Sequence, residues 1–68
     1  MPRLTKLKLT RIEHERAQID VAMQAGINPT RMNRLENGWL QPRADELQRI
    51  AGALGVPVGA LAMKEPTD

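Results

Sequence analysis

From Asn28 to Gly38 the chain reads NPTRMNRLENG, a stretch with two kinds of side chain at helical spacing. Each helical residue advances about 100° around the axis. With Met32 set at zero, Leu35 falls near ~300° and Glu36 near ~40°, while Thr30, Arg34 and Asn37 lie near ~160°, ~200° and ~140°. One face is therefore apolar, and the opposite face carries Thr30, Arg34 and Asn37, flanked by Arg31 and Asn33. All five are hydrogen-bond donors and none is acidic. Such a set suits a helix lying in a DNA major groove, where Arg reads guanine, Asn reads adenine and hydroxyls serve more loosely. An ordinary solvated helix face has the same composition, and the spacing alone does not separate the two.

Other chemistry is poorly provided for. His14 is the only histidine, with Thr10 and Gln18 as its i±4 neighbours, so no metal pair or nucleophile relay can be built on it locally. Glu13 and Glu15 point to different helix faces, which argues against a paired-carboxylate site. Cysteine is absent. No catalytic residue, metal site or cofactor is expected, and the chain does not read as an enzyme.

Two short helices must hold the donor set in place. Gln18 to Gly38, QIDVAMQAGINPTRMNRLENG, reads as a helix-turn-helix in which Ile19, Ala22 and Met23 share one face of the first helix and Met32 and Leu35 one face of the second. Gly26 can take the positive φ of the reversal. Asn28 stands at an N-cap position and Pro29 at the first helical one. Asn37-Gly38 ends the second helix.

Around this pair the sequence predicts a first helix over about 6–15, using Leu4, Leu7, Leu9 and Ile12. The junction at Glu15–Ala17 shows neither a glycine nor a Ser or Thr cap. After WLQPR, Leu47, Ile50, Ala51 and Leu54 recur at i, i+3, i+4 and i+7 and predict a helix over about 44–54, ended by Gly55. Gly52 inside it costs about 1 kcal/mol against alanine, and a close helix contact is the expected compensation. Val58, Leu61 and Ala62 predict one or two further helical turns. The apolar tail residues Val56, Val58, Leu61 and Met63 are expected on the core, in a dimer interface, or both. Residues 1–63 then form one domain, with 64–68 a frayed tail.

Sixty-eight residues with one aromatic side chain allow a small core of Leu, Ile, Val, Met and Ala. The net charge is only +2, but it is unevenly spread. Residues 1–43 carry eight basic and four acidic side chains, and residues 44–68 carry two and four. A basic N-terminal part presented to phosphates fits this asymmetry. No apolar run is long enough to span a bilayer, the basic start lacks the apolar stretch of a signal peptide, and the absence of cysteine fits a reducing cytoplasm.

The chain resembles the phage repressor and Cro family of helix-turn-helix proteins, often called the xenobiotic-response-element family. The resemblance runs from about Leu7 to Leu61 through Arg11, Gln18, Ala22, Gly26-Ile27, Leu35-Glu36-Asn37-Gly38, Pro42, Ile50-Ala51, Leu54-Gly55-Val56 and Leu61. It implies an all-α fold, a compact bundle of five helices whose second and third read DNA. It further implies that Pro29, Thr30, Asn33 and Arg34 reach base edges, Pro29 by apolar contact alone, and that Gln18, Asn37 and the loop through Arg43 touch phosphates, as Arg31 is also expected to do. Arg11 and Glu36 match a structural ion pair. Arg16 departs from the family where an apolar residue usually closes the core, Ala17 where a Ser or Thr cap is common, and Arg43 where a small cap is usual. Trp39 is expected to cover the core edge, its alternative being to lie against the sugar-phosphate backbone.

The function implied is a cytoplasmic, sequence-specific transcriptional regulator, a repressor first, binding double-stranded DNA as a homodimer on a palindromic operator. The rival is a protein-interaction module, such as an antitoxin or adaptor, with a protein partner docked on the C-terminal end. In neither case is a membrane involved.

Overall fold

The computed structural model describes residues 5–61, so Leu4, Ala62, Met63 and the predicted frayed tail lie outside the described residues. Four α-helices follow one another: α1 (Lys6–Glu13), α2 (Gln18–Ala25), α3 (Pro29–Glu36) and α4 (Ala44–Leu54). Where a fifth helix was expected there is a single 3₁₀ turn, Val58–Ala60. Gly59 together with the want of a side-chain cap leaves too little to nucleate an α-helix there among the described residues.

Several helix starts and stops have a local cause. Thr5 caps α1, its side-chain oxygen accepting from the Lys8 N–H at 3.1 Å. Asn28 caps α3 by accepting from the Thr30 N–H at 2.8 Å, with Pro29 following. At the end of α2 Gly26 lies at φ +68°, and the Ile27 N–H reaches back to the Ala22 carbonyl at 2.8 Å. This six-to-one bond is the left-handed helix stop that glycine permits at low cost.

The same stop closes α1 without a glycine. There Glu15 takes φ +53° and the Arg16 N–H donates to the Arg11 carbonyl at 3.2 Å. The break is thus real although no breaker residue signals it, and α1 ends at Glu13, two residues earlier than expected. Tertiary contacts hold it: Arg11 Nη1 donates to the Arg16 carbonyl at 2.7 Å, Arg16 Nη1 to the Ala53 carbonyl at 2.9 Å, and Arg16 Nη2 to Gln24 Oε1 at 2.7 Å. Arg16 therefore does by hydrogen bonds what an apolar residue would do by packing, tying the α1–α2 junction to the end of α4.

The described core is built from Leu7 of α1, Val21, Ala22 and Ala25 of α2, Met32 and Leu35 of α3, and Ile50, Ala51 and Leu54 of α4, with Ile27 and Leu61 from the connections. Helix α2 packs most extensively against α4 and next against α3. Its buried face is not the one the sequence suggested: Ile19 and Met23 are exposed, Met23 at 71%, and Val21 and Ala25 flank Ala22 instead. Two small alanines let α2 approach α4 closely, which turns the larger side chains outward. Leu9 and Ile12 are likewise exposed, so α1 contributes Leu7 alone to the core. Gly52 meets no close neighbour, since a Cβ built there would have nothing within 4 Å.

The tail is divided. Leu61 is fully buried, Val56 packs partly on the core and Val58 is 40% exposed. Trp39, expected over the core edge, is exposed and stands outside the core cluster, while Leu40 beside it packs inward.

Candidate nucleic-acid interface

Helix α3 presents its polar side outward because its apolar side is completely consumed. Met32 and Leu35 have no exposed surface, and neither has Glu36. Pro29, Thr30, Asn33 and Arg34 are all exposed. Among the described residues Arg34 has no carboxylate partner. The only acid of α3 is Glu36, which is buried and paired.

Beneath α3 lies a charged joint. Arg11 donates to Glu36 twice, Nε to Oε2 at 2.5 Å and Nη2 to Oε1 at 3.0 Å, and Gln18 Nε2 adds a third bond to Oε1 at 3.0 Å. The Thr5 hydroxyl donates to the Glu36 backbone carbonyl at 2.8 Å. Thus α1, the start of α2 and the end of α3 meet on one carboxylate. Gln18, read from the sequence as a phosphate ligand, has its amide nitrogen turned inward to this joint.

A second joint anchors the other flank of α3. Arg31 Nε donates to Glu46 Oε2 at 2.6 Å and Nη2 to Oε1 at 2.9 Å, and Glu46 Oε1 also accepts the backbone N–H of Arg43 at 2.9 Å. Glu46 is buried. Hydrogen bonding by Arg31, followed by that of the Arg43 N–H, outweighs burial and holds its carboxyl at about 2. Arg31 is raised for the same reason. Two of the nitrogens of Arg31 are therefore spent on α4. Arg43 is exposed and serves as N-cap of α4 through its backbone, so its side chain is unconstrained by the cap.

A third set of contacts lies on the surface at the end of α3. Asn37 Nδ2 donates to Asn33 Oδ1 at 3.2 Å, and Lys8 Nζ donates to Asn37 Oδ1 at 3.5 Å. This gathers Asn33, Asn37 and Lys8, from two helices and a cap, beside the exposed Arg34. Thr5 and Glu46 were not read as anchoring residues from sequence; Lys8 was read as a solvating charge able to reach a phosphate, and Arg16 as a departure from the family's core-closing position, without the partners they take here. Thr5 had a detectable signal, a capping side chain just before the helix, and so had Glu46, an acid at the third position of α4. Lys8 and Arg16 had none, because their partners are 29 and 37 residues away.

The helix-turn-helix family model matches residues 7–61, from the buried Leu7 to the buried Leu61. The chain belongs to the Cro/C1-type helix-turn-helix family. Members are DNA-binding regulators of transcription, and this helix-turn-helix protein binds double-stranded DNA as they do. The family is a regulatory one and not an enzyme family. No curated protein matches the chain in sequence. Within the helix-turn-helix, α2 and α3 are the paired helices, and the exposed side of α3 is its acid-free one. Among the described residues no helix is long and apolar enough to cross a membrane, and no cluster of His, Cys, Asp or Glu could hold a metal ion.

Proposed function

We propose that this protein is a cytoplasmic, sequence-specific repressor that binds a palindromic operator as a homodimer. The observation that carries the reading is the complete division of α3, with Met32 and Leu35 at zero exposure and Thr30, Asn33 and Arg34 on the solvent side. In a major groove Arg34 would take guanine O6 and N7, Asn33 and Thr30 would meet base edges near it, and Pro29 would offer a methyl-sized apolar contact to thymine. Asn37 and Arg43 would hold phosphates, as would Arg31 through the Nη1 that Glu46 does not engage and Gln18 through its second Nε2 hydrogen, and so set register without reading sequence. The two buried joints keep α3 from rotating about its own axis, so that these side chains arrive together.

One copy makes few phosphate contacts, and a second copy about 34 Å along the helix axis would double them. The dimer is assigned to the C-terminal segment, where Val58 is exposed beside the half-buried Val56. Residues 1–63 act as one domain in this scheme. With about five phosphate contacts per subunit, binding should weaken with salt at a log-log slope of about −4 to −5 per half-site. Selection of bound duplexes from a random pool should return a palindrome. A slope near zero, or a pool left unenriched, overturns the proposal.

A further inference from the structure

We infer that Asn37, held by Lys8, is a positioning residue that decides which end of the Asn33 amide faces the DNA; this rests on the DNA-reading role proposed for α3. An amide side chain has a donor end and an acceptor end of nearly the same shape, and only its neighbours decide which points where. Lys8 removes that freedom. Its ammonium group has donors and no acceptor, so the end of Asn37 that meets it, 3.5 Å away, is the oxygen. Asn37 must then turn Nδ2 toward Asn33, and Asn33 answers with Oδ1 at 3.2 Å. The charge on α1 thereby fixes a polarity that runs along the last turn of α3.

The consequence falls on Asn33. One lone pair of its oxygen is occupied, and its Nδ2, with two donor hydrogens, has no partner among the described residues. Asn33 is exposed and adjacent to Arg34. It therefore offers DNA a donor first, which suits the acceptor edges of guanine or thymine and opposes the major-groove donor of cytosine. Read without its neighbours, an asparagine on a recognition helix suggests adenine; read with them, it favours guanine or thymine over cytosine.

Asn37→Asp reverses the polarity. The new carboxylate still accepts from Lys8 but can only accept from Asn33, so Asn33 would turn Nδ2 inward and Oδ1 outward. Duplexes are selected from a random pool with wild type, N33A, N37D and K8M, each first checked for its helical circular dichroism. The position whose preference N33A abolishes is the one read by Asn33. Wild type should prefer guanine or thymine over cytosine there, and N37D cytosine over guanine or thymine, each by about three- to tenfold, the worth of one hydrogen bond. K8M should relax the preference at that position and nowhere else, and it decides the matter if N37D does not fold. An unchanged preference in N37D with uniformly weaker binding overturns the inference, as does a wild-type preference for cytosine at that position. If wild type itself selects no sequence, the DNA-reading role of α3 has failed and the inference falls with it.

Discussion

Arg11 grips both oxygens of Glu36 across the interface of α1 and α3, with the carboxylate wholly buried and the arginine side chain 14% exposed. Gln18 completes the set, and among the described residues no buried side-chain polar atom lacks a partner. Truncating one member strands a buried charge, which costs about 3–5 kcal/mol. Arg11→Met and Glu36→Gln should each lose that much in urea denaturation, close to the whole stability of a domain this size. The double variant Arg11→Met with Glu36→Leu should recover most of it. A single-variant loss below about 1 kcal/mol would show that water reaches the pair.

The Arg31–Glu46 joint makes stability depend on acid. The Glu46 carboxyl titrates at about 2 when folded, below the usual carboxylate value of 4.5. A depressed folded pKa contributes stability that is complete above the unfolded value and is lost as pH falls through the folded one. Thermal melts should therefore show Glu46→Gln destabilised at neutral pH, with the difference from wild type shrinking from about pH 4.5 and gone near pH 2. A difference independent of pH would assign Glu46 a packing role only.

Glu15 occupies a left-handed conformation that a side chain disfavours by about 1–2 kcal/mol. Glycine there relieves the strain while adding freedom to the unfolded chain, so Glu15→Gly should stabilise by about 0.5–1 kcal/mol. Equal or lower stability by denaturant titration would mean that the Glu15 side chain makes contacts that offset its backbone.

Gly52 sits inside α4, where a Cβ would meet nothing within 4 Å. Gly52→Ala should gain about 1 kcal/mol from helix propensity alone. Because the site is remote from the exposed side of α3, operator affinity should be unchanged; a loss of affinity would place this stretch of α4 in an interface.

Arg34→Ala should leave the melting temperature nearly unaltered, since the side chain is exposed and unpaired among the described residues. Its cost of about 1–3 kcal/mol should fall on one base pair of the operator, as relaxed discrimination in competition binding. Arg43→Ala should instead weaken all sequences alike and reduce the salt slope by about 1.

Much of the fold could be read along the chain wherever its cause is local. Asn28-Pro29 starting α3, Gly26 and Gly55 ending α2 and α4, and the full extent of α4 depend on residues within a turn of one another. So does the polar side of α3, because Met32 and Leu35 alone define which way it faces. Partners distant in sequence were not legible in this way. The face α2 buries was misjudged, since the bulk of Ile19 and Met23 counts for less than the closeness that Ala22 and Ala25 allow. Trp39 was expected to cover the core edge and is exposed, while Leu40 beside it packs against the core.

By itself, then, the amino-acid order determined where α3 starts, where α2 and α4 stop and that α3 carries an acid-free donor surface, because capping, glycine stops and helical periodicity act over a few residues. Tertiary structure decided how those donors are held: Gln18 and Arg31 turned to carboxylates, Arg16 tied to the Ala53 carbonyl, a glycine-type stop imposed on Glu15, and an amide polarity set by Lys8. All but the Glu15 stop join residues far apart in the chain, and hydrogen bonds between such groups exist only once the core has brought them within about 3 Å of one another.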